Sequence, residues 1–290
     1  MGISKQVVKA LLLEDAFRPI AGQWLSFGRQ TVNVDNDILA EVCGAALVSN
    51  LSVDAETRHG SGRRVSDRAL IEGLFAVDYR SVDKSDYEGA DIVTDLSQPV
   101  DQALEGGFDF VFTGGCLDNV FSPADLIRNS SRLLRPGGRV MHYESASRLL
   151  GAFSYLTAEW FLSYYAVNRF VDCKVFLLTQ TQPGRDRFHY DVDVFKYGHE
   201  FTRSDALDYF EAACALPGLQ YLLVLAEKGE DSTDSLIPDQ LQYLDENSVD
   251  WRVQAKLYEN SARPLVTGPT SKTIDRPFHS DHYEYRGSGY

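Results

Sequence analysis

The chain has 290 residues, 44% of them apolar, with 28 basic against 42 acidic side chains and a formal charge of −14. That length suits one large α/β domain with additions, or a domain plus a tail. The acidic surplus argues against a duplex-binding or anionic-membrane surface, because the bulk field repels phosphates, so neither nucleic acid nor membrane is an expected partner.

At the start, Gln6 stands where a myristoylation signal needs Ser or Thr. The run Val7 to Leu13 is short and is broken by Glu14 and Asp15, which reads as a packed helix rather than a signal peptide or membrane span. Gln23-Trp24-Leu25-Ser26-Phe27 predicts a strand ending at Gly28. A long insertion follows, containing His59-Gly60-Ser61-Gly62-Arg63-Arg64, a segment that could fold back over the end of that strand. A helix is predicted from Ser66 through Phe75, with Leu70, Ile71, Leu74 and Phe75 on one face. Short strands follow at Tyr79 to Val82 and Ala90 to Thr94. Cys43, Cys116, Cys173 and Cys214 are scattered without CxxC pairing, which predicts neither a disulfide framework nor a thiolate zinc site and makes a reducing, cytoplasmic setting the expectation.

The clearest unit lies at 108–143. Phe108-Asp109-Phe110-Val111-Phe112-Thr113 is an apolar run closed by Gly114-Gly115, as a buried parallel strand requires. Ser122-Pro123-Ala124-Asp125 reads as a helix start, with Ser122 as cap, Pro123 at the first helical position and Asp125 on the positive end. Pro136-Gly137-Gly138 is expected to stop that helix, and Arg139 to Tyr143 to begin a new strand. Strand, helix and strand over so few residues imply a right-handed parallel crossover. Downstream, Thr157 to Val167 and Ser204 to Ala215 predict helices, and Lys174 to Leu178 and Tyr221 to Ala226 late strands. From Lys228 the character changes: Glu230 to Ser235 is a polar linker, a last helix is expected through Trp251, Val253 and Leu257, and Pro264 to Tyr290 reads as an irregular arm. The expected architecture is therefore a doubly wound, mostly parallel sheet over residues 1–228 with a C-terminal extension over 229–290.

Three segments in order carry a resemblance: Phe108 to Phe112, then Leu117-Asp118-Asn119-Val120-Phe121, then Leu133-Leu134-Arg135-Pro136-Gly137-Gly138-Arg139-Val140. Together they resemble the fourth- and fifth-strand motifs of the class I S-adenosylmethionine-dependent methyltransferases, over about residues 20–228. Arg135 replaces the common Lys and Asn119 the common His. The first-strand turn departs further, with Gly28 alone where the family carries Gly-x-Gly-x-Gly. Either Gly28 suffices, or the later Gly60-Ser61-Gly62 supplies the missing approach, or the pocket is degenerate.

The resemblance implies a Rossmann-like methyltransferase fold and S-adenosyl-L-methionine as cofactor, while the acidic composition, the absence of nucleic-acid modules and the aromatic stretch at Tyr155 to Tyr165 point to a small-molecule acceptor, with methylation expected at oxygen of a small metabolite or glycan precursor. Cofactor contacts are implied at Gly28, Arg29 and Gln30 after the first strand and at Gly114 after the fourth. Asp83, with Asp78 as second choice, is the implied ribose acceptor; Asp95 is implied for the adenine amino group, with Leu96 against the ring. Each of these carboxylates also suits a turn or helix cap. Asp118, His142 and Glu144, beyond the fourth and fifth strands, are the candidates for proton removal from an acceptor hydroxyl, and strand alternation puts His142 and Glu144 on one face.

Tyr155, Trp160, Phe161, Tyr164 and Tyr165 form an aromatic stretch that suits either an acceptor wall or an ordinary core stripe. His279, Asp281 and His282 are too few for a closed metal site, so no metal is expected, and Cys116 reads as a packing residue. Two further readings share the architecture. One is an inactive methyltransferase-fold binding or scaffold protein; the other is a nicotinamide-dependent dehydrogenase, disfavoured because the Gly-x-Gly-x-x-Gly turn is missing.

Overall fold

The computed structural model describes residues 2–55, 57, 62, 64–147, 151–180, 190–195, 219–239, 254, 255, 257, 258, 261, 263 and 283–288. Helix α1 (Lys5–Phe17) opens the chain, with the Ser4 hydroxyl accepting from the Val7 backbone amide. Strand β1 (Ala21–Phe27) follows. The insertion holds α2 (Asn36–Cys43) and α3 (Ala45–Val48), neither anticipated from periodicity. Then come α4 (Asp67–Leu74), β2 (Ala76–Asp83), β3 (Ile92–Val93) and β4 (Phe108–Phe112). The second half holds α5 (Pro123–Leu133), β5 (Leu134–Ser145), α6 (Ala158–Val167), β6 (Asp172–Gln180), β7 (Tyr190–Phe195), β8 (Gln220–Glu227) and β9 (Tyr283–Ser288).

The strands form one sheet in the order β3-β2-β1-β4-β5-β8-β6-β7-β9. The β3-β2-β1-β4-β5 half is parallel throughout. β8 is antiparallel to both β5 and β6, and β7 to both β6 and β9, so seven of the nine strands point one way. The order reverses between β1 and β4, the switch point outside which open α/β sheets bind ligands.

Alternation along each strand feeds two cores, one on each face. Trp24, Phe110, Phe112, Met141 and Phe176 pack toward Val7, Val8 and Leu11 of α1, Leu39 of α2, and Leu70 and Ile71 of α4. Their neighbours Leu25, Phe27, Val111, Val140 and Val175 pack toward Leu126 and Ile127 of α5 and Phe161 and Tyr165 of α6. Helices on both faces explain why these strands are apolar on both sides rather than alternating with polar residues.

Three expectations need correction. The Pro136-Gly137-Gly138 turn does not precede the fifth strand but lies inside it. β5 starts at Leu134 opposite Phe108, slips register, and resumes with Arg139 opposite Phe110, while Gly137 takes a φ of 77° and its N–H donates to the Lys228 carbonyl. The Ser122 hydroxyl does not cap α5; it donates to Asp125 Oδ2 at 2.5 Å, leaving Pro123 to begin the helix. Of the chain beyond Lys228, the described residues contact the rest of the fold, and 283–288 form a strand where an irregular arm was expected. Asp234 pairs with Arg132 at 3.2 Å, Tyr258 is buried in the α5–α6 core, and β9 extends the sheet beside β7. Arg263 is sunk among Glu14, Asp172 and Glu227. The helix expected at 204–215, the Trp251 and Val253 part of the last one, and His279, Asp281 and His282 lie outside the described residues; residues 254, 255, 257 and 258 are helical.

Candidate active site

Parallel strands bring their carboxyl ends to one edge, and here those ends gather Gly28 after β1, Asp83 at the end of β2, Gly114 after β4 and Glu144 near the end of β5. Gly28 adopts a φ of 70°, and its N–H donates to the Val82 carbonyl at 2.7 Å. A side chain there would be strained, and its first carbon would meet Asp83 Oδ2 at 3.4 Å. The Asp83 carboxylate thus faces bare backbone across β1 and β2, while its Oδ1 accepts from the Ser85 amide at 3.3 Å. Asp78 is exposed and pairs in register with Gln23, near the opposite end of β2.

The loop after β1 is held down by one carboxylate. Asp67, at the start of α4, accepts from Arg29 Nη2 at 2.8 Å, from the Gln30 amide at 2.7 Å and from the Tyr79 hydroxyl at 2.6 Å. The Arg29 guanidinium is therefore buried and committed to Asp67, so its side chain does not face the strand ends. Gln30 turns inward, donating Nε2 to the Phe27 carbonyl at 2.8 Å and laying Oε1 against Gly114, where an added Cβ would come within 2.3 Å. Gly114, with a φ of 50°, has to be glycine for both reasons. Of the insertion segment, Arg64 binds Asn33 and accepts from the Asp54 amide through its carbonyl, whereas His59, Gly60, Ser61 and Arg63 lie outside the described residues.

Asp95 pairs with Lys84 at 2.8 Å and accepts from the Ser97 hydroxyl at 2.6 Å. The Lys84 bond, then Ser97, holds its carboxyl down at about 2. Leu96 is buried in the core, its carbonyl accepting from Asn129 at 2.7 Å.

Beneath the Gly114-Gly115 turn lies a closed polar cluster. Thr113, His142 and Glu144 are fully buried, and Asp118 is 1% exposed. The Thr113 hydroxyl donates to Glu144 Oε1 at 2.7 Å and lies 3.0 Å from His142 Nδ1, while His142 Nε2 lies 2.5 Å from the Tyr165 hydroxyl. Asp118 gives its amide to Glu144 Oε2 at 3.4 Å and accepts from the Ser145 amide at 3.3 Å. Burial, and then the neighbouring Asp118 charge, push the Glu144 carboxyl up to about 8. Burial alone drives His142 down to about 3, so its ring is neutral at physiological pH. Cys116 is half-buried beside the cluster, its thiol raised to about 12 by burial and by Glu144, Asp83 and Asp118 around it. It is no activated thiolate. Glu144, Asp83 and Asp118 thus lie around Cys116, the first and last of them buried and Asp83 half-buried.

Sequence reading missed Thr113 and Tyr165. The signal for Thr113 was available: it is the lone hydroxyl ending an apolar strand, two residues after Val111 and so on its face. Tyr165 was read only as part of an aromatic stripe, and it is both a core ring, stacked edge-on to Phe170, and a polar partner of His142. Of that stripe, Phe161, Tyr164 and Tyr165 are buried, Trp160 is half-buried and Tyr155 is exposed. The described residues contain no group of three or more metal-ligating side chains, and no described helix is long and apolar enough to cross a membrane.

Neither a protein-family model nor a curated protein sequence matches the chain. Solved structures with a similar fold do exist. Phosphoethanolamine N-methyltransferase 2 of Haemonchus contortus, solved with S-adenosyl-L-methionine, is 14% identical, covers 77% of this chain and 52% of its own, and has a TM-score of 0.41. The methyltransferase domain of the citrinin polyketide synthase is 15% identical over 78% of this chain and 52% of its own, with a TM-score of 0.38. Geranyl diphosphate C-methyltransferase from Streptomyces coelicolor is 12% identical over 77% of this chain and 79% of its own, also with a TM-score of 0.38. The chain thus spans about half the length of the first two. The strand order and the antiparallel β8 make the fold itself Rossmann-like and methyltransferase-like, as the sequence motifs imply.

Proposed function

We propose that the chain is an S-adenosylmethionine-dependent methyltransferase acting on an oxygen of a small metabolite or glycan precursor. The observation that carries this reading is the Asp83 carboxylate at the end of β2 facing the bare backbone of Gly28 at the switch point of the sheet, with Asp118 and Glu144 buried nearby. That donor set fits the cofactor chemically: carboxylates accept from a ribose diol and favour a nearby cation. When bound, S-adenosylmethionine supplies a methyl group on an electrophilic, positively charged sulfur.

Each residue then has a task. Asp83 accepts from the two ribose hydroxyls, and Gly28 lets the sugar lie close against β1. Asp67 holds the Gly28-Arg29-Gln30 loop in place from below. Asp95 and Leu96 flank the adenine, with the Asp95 carboxylate shared with Lys84. Asp118 and Glu144 do not both ionise at neutral pH, because Glu144 is pushed up to about 8. The ionised member of the pair would accept the proton of an acceptor hydroxyl that reached it, and the buried Thr113 and His142 beside it would keep competing water away. Thiols without disulfide partners at Cys43, Cys116 and Cys173 suit a cytoplasmic location.

Titration calorimetry with S-adenosylmethionine and S-adenosylhomocysteine tests this reading. Both are expected to bind, and Asp83→Ala to weaken them by about 1.5–3 kcal/mol. Folded protein that gives no heat with either compound would overturn it. One observation favours a second reading, an inactive binding protein of the same fold: the Gln30 carboxamide packs on Gly114, at the turn a cofactor would cross. Folded protein that carries no cofactor in native mass spectrometry and takes none up when it is added would select that alternative.

A further inference from the structure

We infer that Tyr165 and His142 are positioning residues for Glu144, and that the Tyr165–His142–Thr113 chain reverses its hydrogen-bond direction, and with it the tautomer of His142, when Glu144 gains or loses its proton. The protons along four buried groups fix the directions available. Tyr165, His142, Thr113 and Glu144 are each at most 1% exposed and are joined by contacts of 2.5, 3.0 and 2.7 Å. The Thr113 hydroxyl has one proton and can donate in only one direction.

When Glu144 is ionised, Thr113 must donate to it. His142 Nδ1 then carries a proton and donates to Thr113, leaving Nε2 bare to accept from the Tyr165 hydroxyl. When Glu144 is protonated, its own O–H donates to Thr113, and Thr113 donates to a bare Nδ1. The His142 proton then sits on Nε2 and donates to the Tyr165 oxygen, whose hydroxyl turns toward Ser130 of α5. No net charge moves along the chain in either state, so the neutral ring enforced by burial is kept. The groups facing Glu144 are Asp118 and Cys116 from the loop after β4 and Thr113 at the end of that strand; His142 faces Tyr165 and the Phe161 ring, 5.2 Å away. None of the residues between Glu144 and Tyr165 reaches solvent, so the chain reports the carboxyl's state to helix α6 without water.

Nitrogen-15 spectra of the histidine side chains in the ligand-free protein test this, independently of whether any cofactor binds. His142 is one of six histidines and is assigned by the signal lost in His142→Gln. The expected result is a change from the Nε2–H to the Nδ1–H tautomer as pH rises, with a midpoint near 8. Glu144→Gln, whose amide donates to Thr113 at every pH, is expected to hold His142 as Nε2–H throughout. Tyr165→Phe should move the wild-type midpoint by about half a pH unit or more, on the scale of one lost hydrogen bond, whereas Phe161→Leu, which removes only a ring contact, should leave it in place. A single His142 tautomer from pH 6 to pH 10 in the wild-type protein would overturn the inference, and so would a midpoint that Tyr165→Phe does not move.

Discussion

Two buried groups of opposite sign make stability depend on pH at single residues. The Glu144 carboxyl is raised from an ordinary 4.5 to about 8, so its contribution is fully present below 4.5 and is lost as pH rises through 8. Glu144→Gln cannot ionise and should gain on the wild type by on the order of 2–4 kcal/mol between pH 5 and pH 9. Urea denaturation at both pH values measures this; equal denaturation midpoint differences at the two would contradict it. His142 runs the other way: lowered from 6.5 to about 3, it stabilises the fold above 6.5, and that stability is lost as pH falls through 3. His142→Gln should therefore flatten the acid limb of the unfolding curve, a limb that a solvated ring would leave unchanged.

At the scale of elements, the loop between β1 and the insertion shows how a glycine-poor turn is held. A Gly-x-Gly-x-Gly loop approaches a ligand by having no side chains, whereas here Arg29 and Gln30 are folded inward by Asp67 and Gly114. Asp67→Ala should destabilise the protein by about 3–5 kcal/mol, since it strands a buried guanidinium, and loss of less than about 1 kcal/mol in urea titration would show that Arg29 finds another partner. Sequence pattern located α4 and α5, each with one apolar face of helical period, and β1, β4 and α6 as short apolar runs bounded by turn or cap residues. It did not reveal α2 and α3, which are short and lie in an insertion, nor β9, whose pairing with β7 is made across a long stretch of chain. The Pro-Gly-Gly turn was legible as a turn but not as a bulge, because only the register of Phe108 against Leu134 places it inside a strand. Asp83 was legible from its place at a strand end. The burial of Arg29 was not, since Asp67 lies beyond the insertion in sequence.

At the scale of the whole molecule, helix α1 and Arg263 meet at the strand ends of β5, β8 and β6 opposite the candidate site. Glu14 of α1 binds Arg139 of β5 and Arg263, which also binds Asp172 of β6 and Glu227 of β8. A cluster of arginines and carboxylates with Arg263 only 2% exposed is costly to break on one side, because the remaining charges stay buried. Arg263→Met should lower stability by about 3–5 kcal/mol, and a chain ending at residue 228 should fail to unfold cooperatively in a thermal scan. A sharp thermal transition in that shortened chain would show that the extension is dispensable. Adenosyl recognition at the carboxyl ends of β1 and β2 is the proposal on which the enzymatic reading stands, and a crystal of the protein grown with S-adenosylhomocysteine tests it most directly. The prediction is density for the ribose, with both hydroxyls in hydrogen-bonding contact with Asp83 and the sugar against Gly28; density elsewhere, or side chains filling that space at saturating ligand, would contradict it.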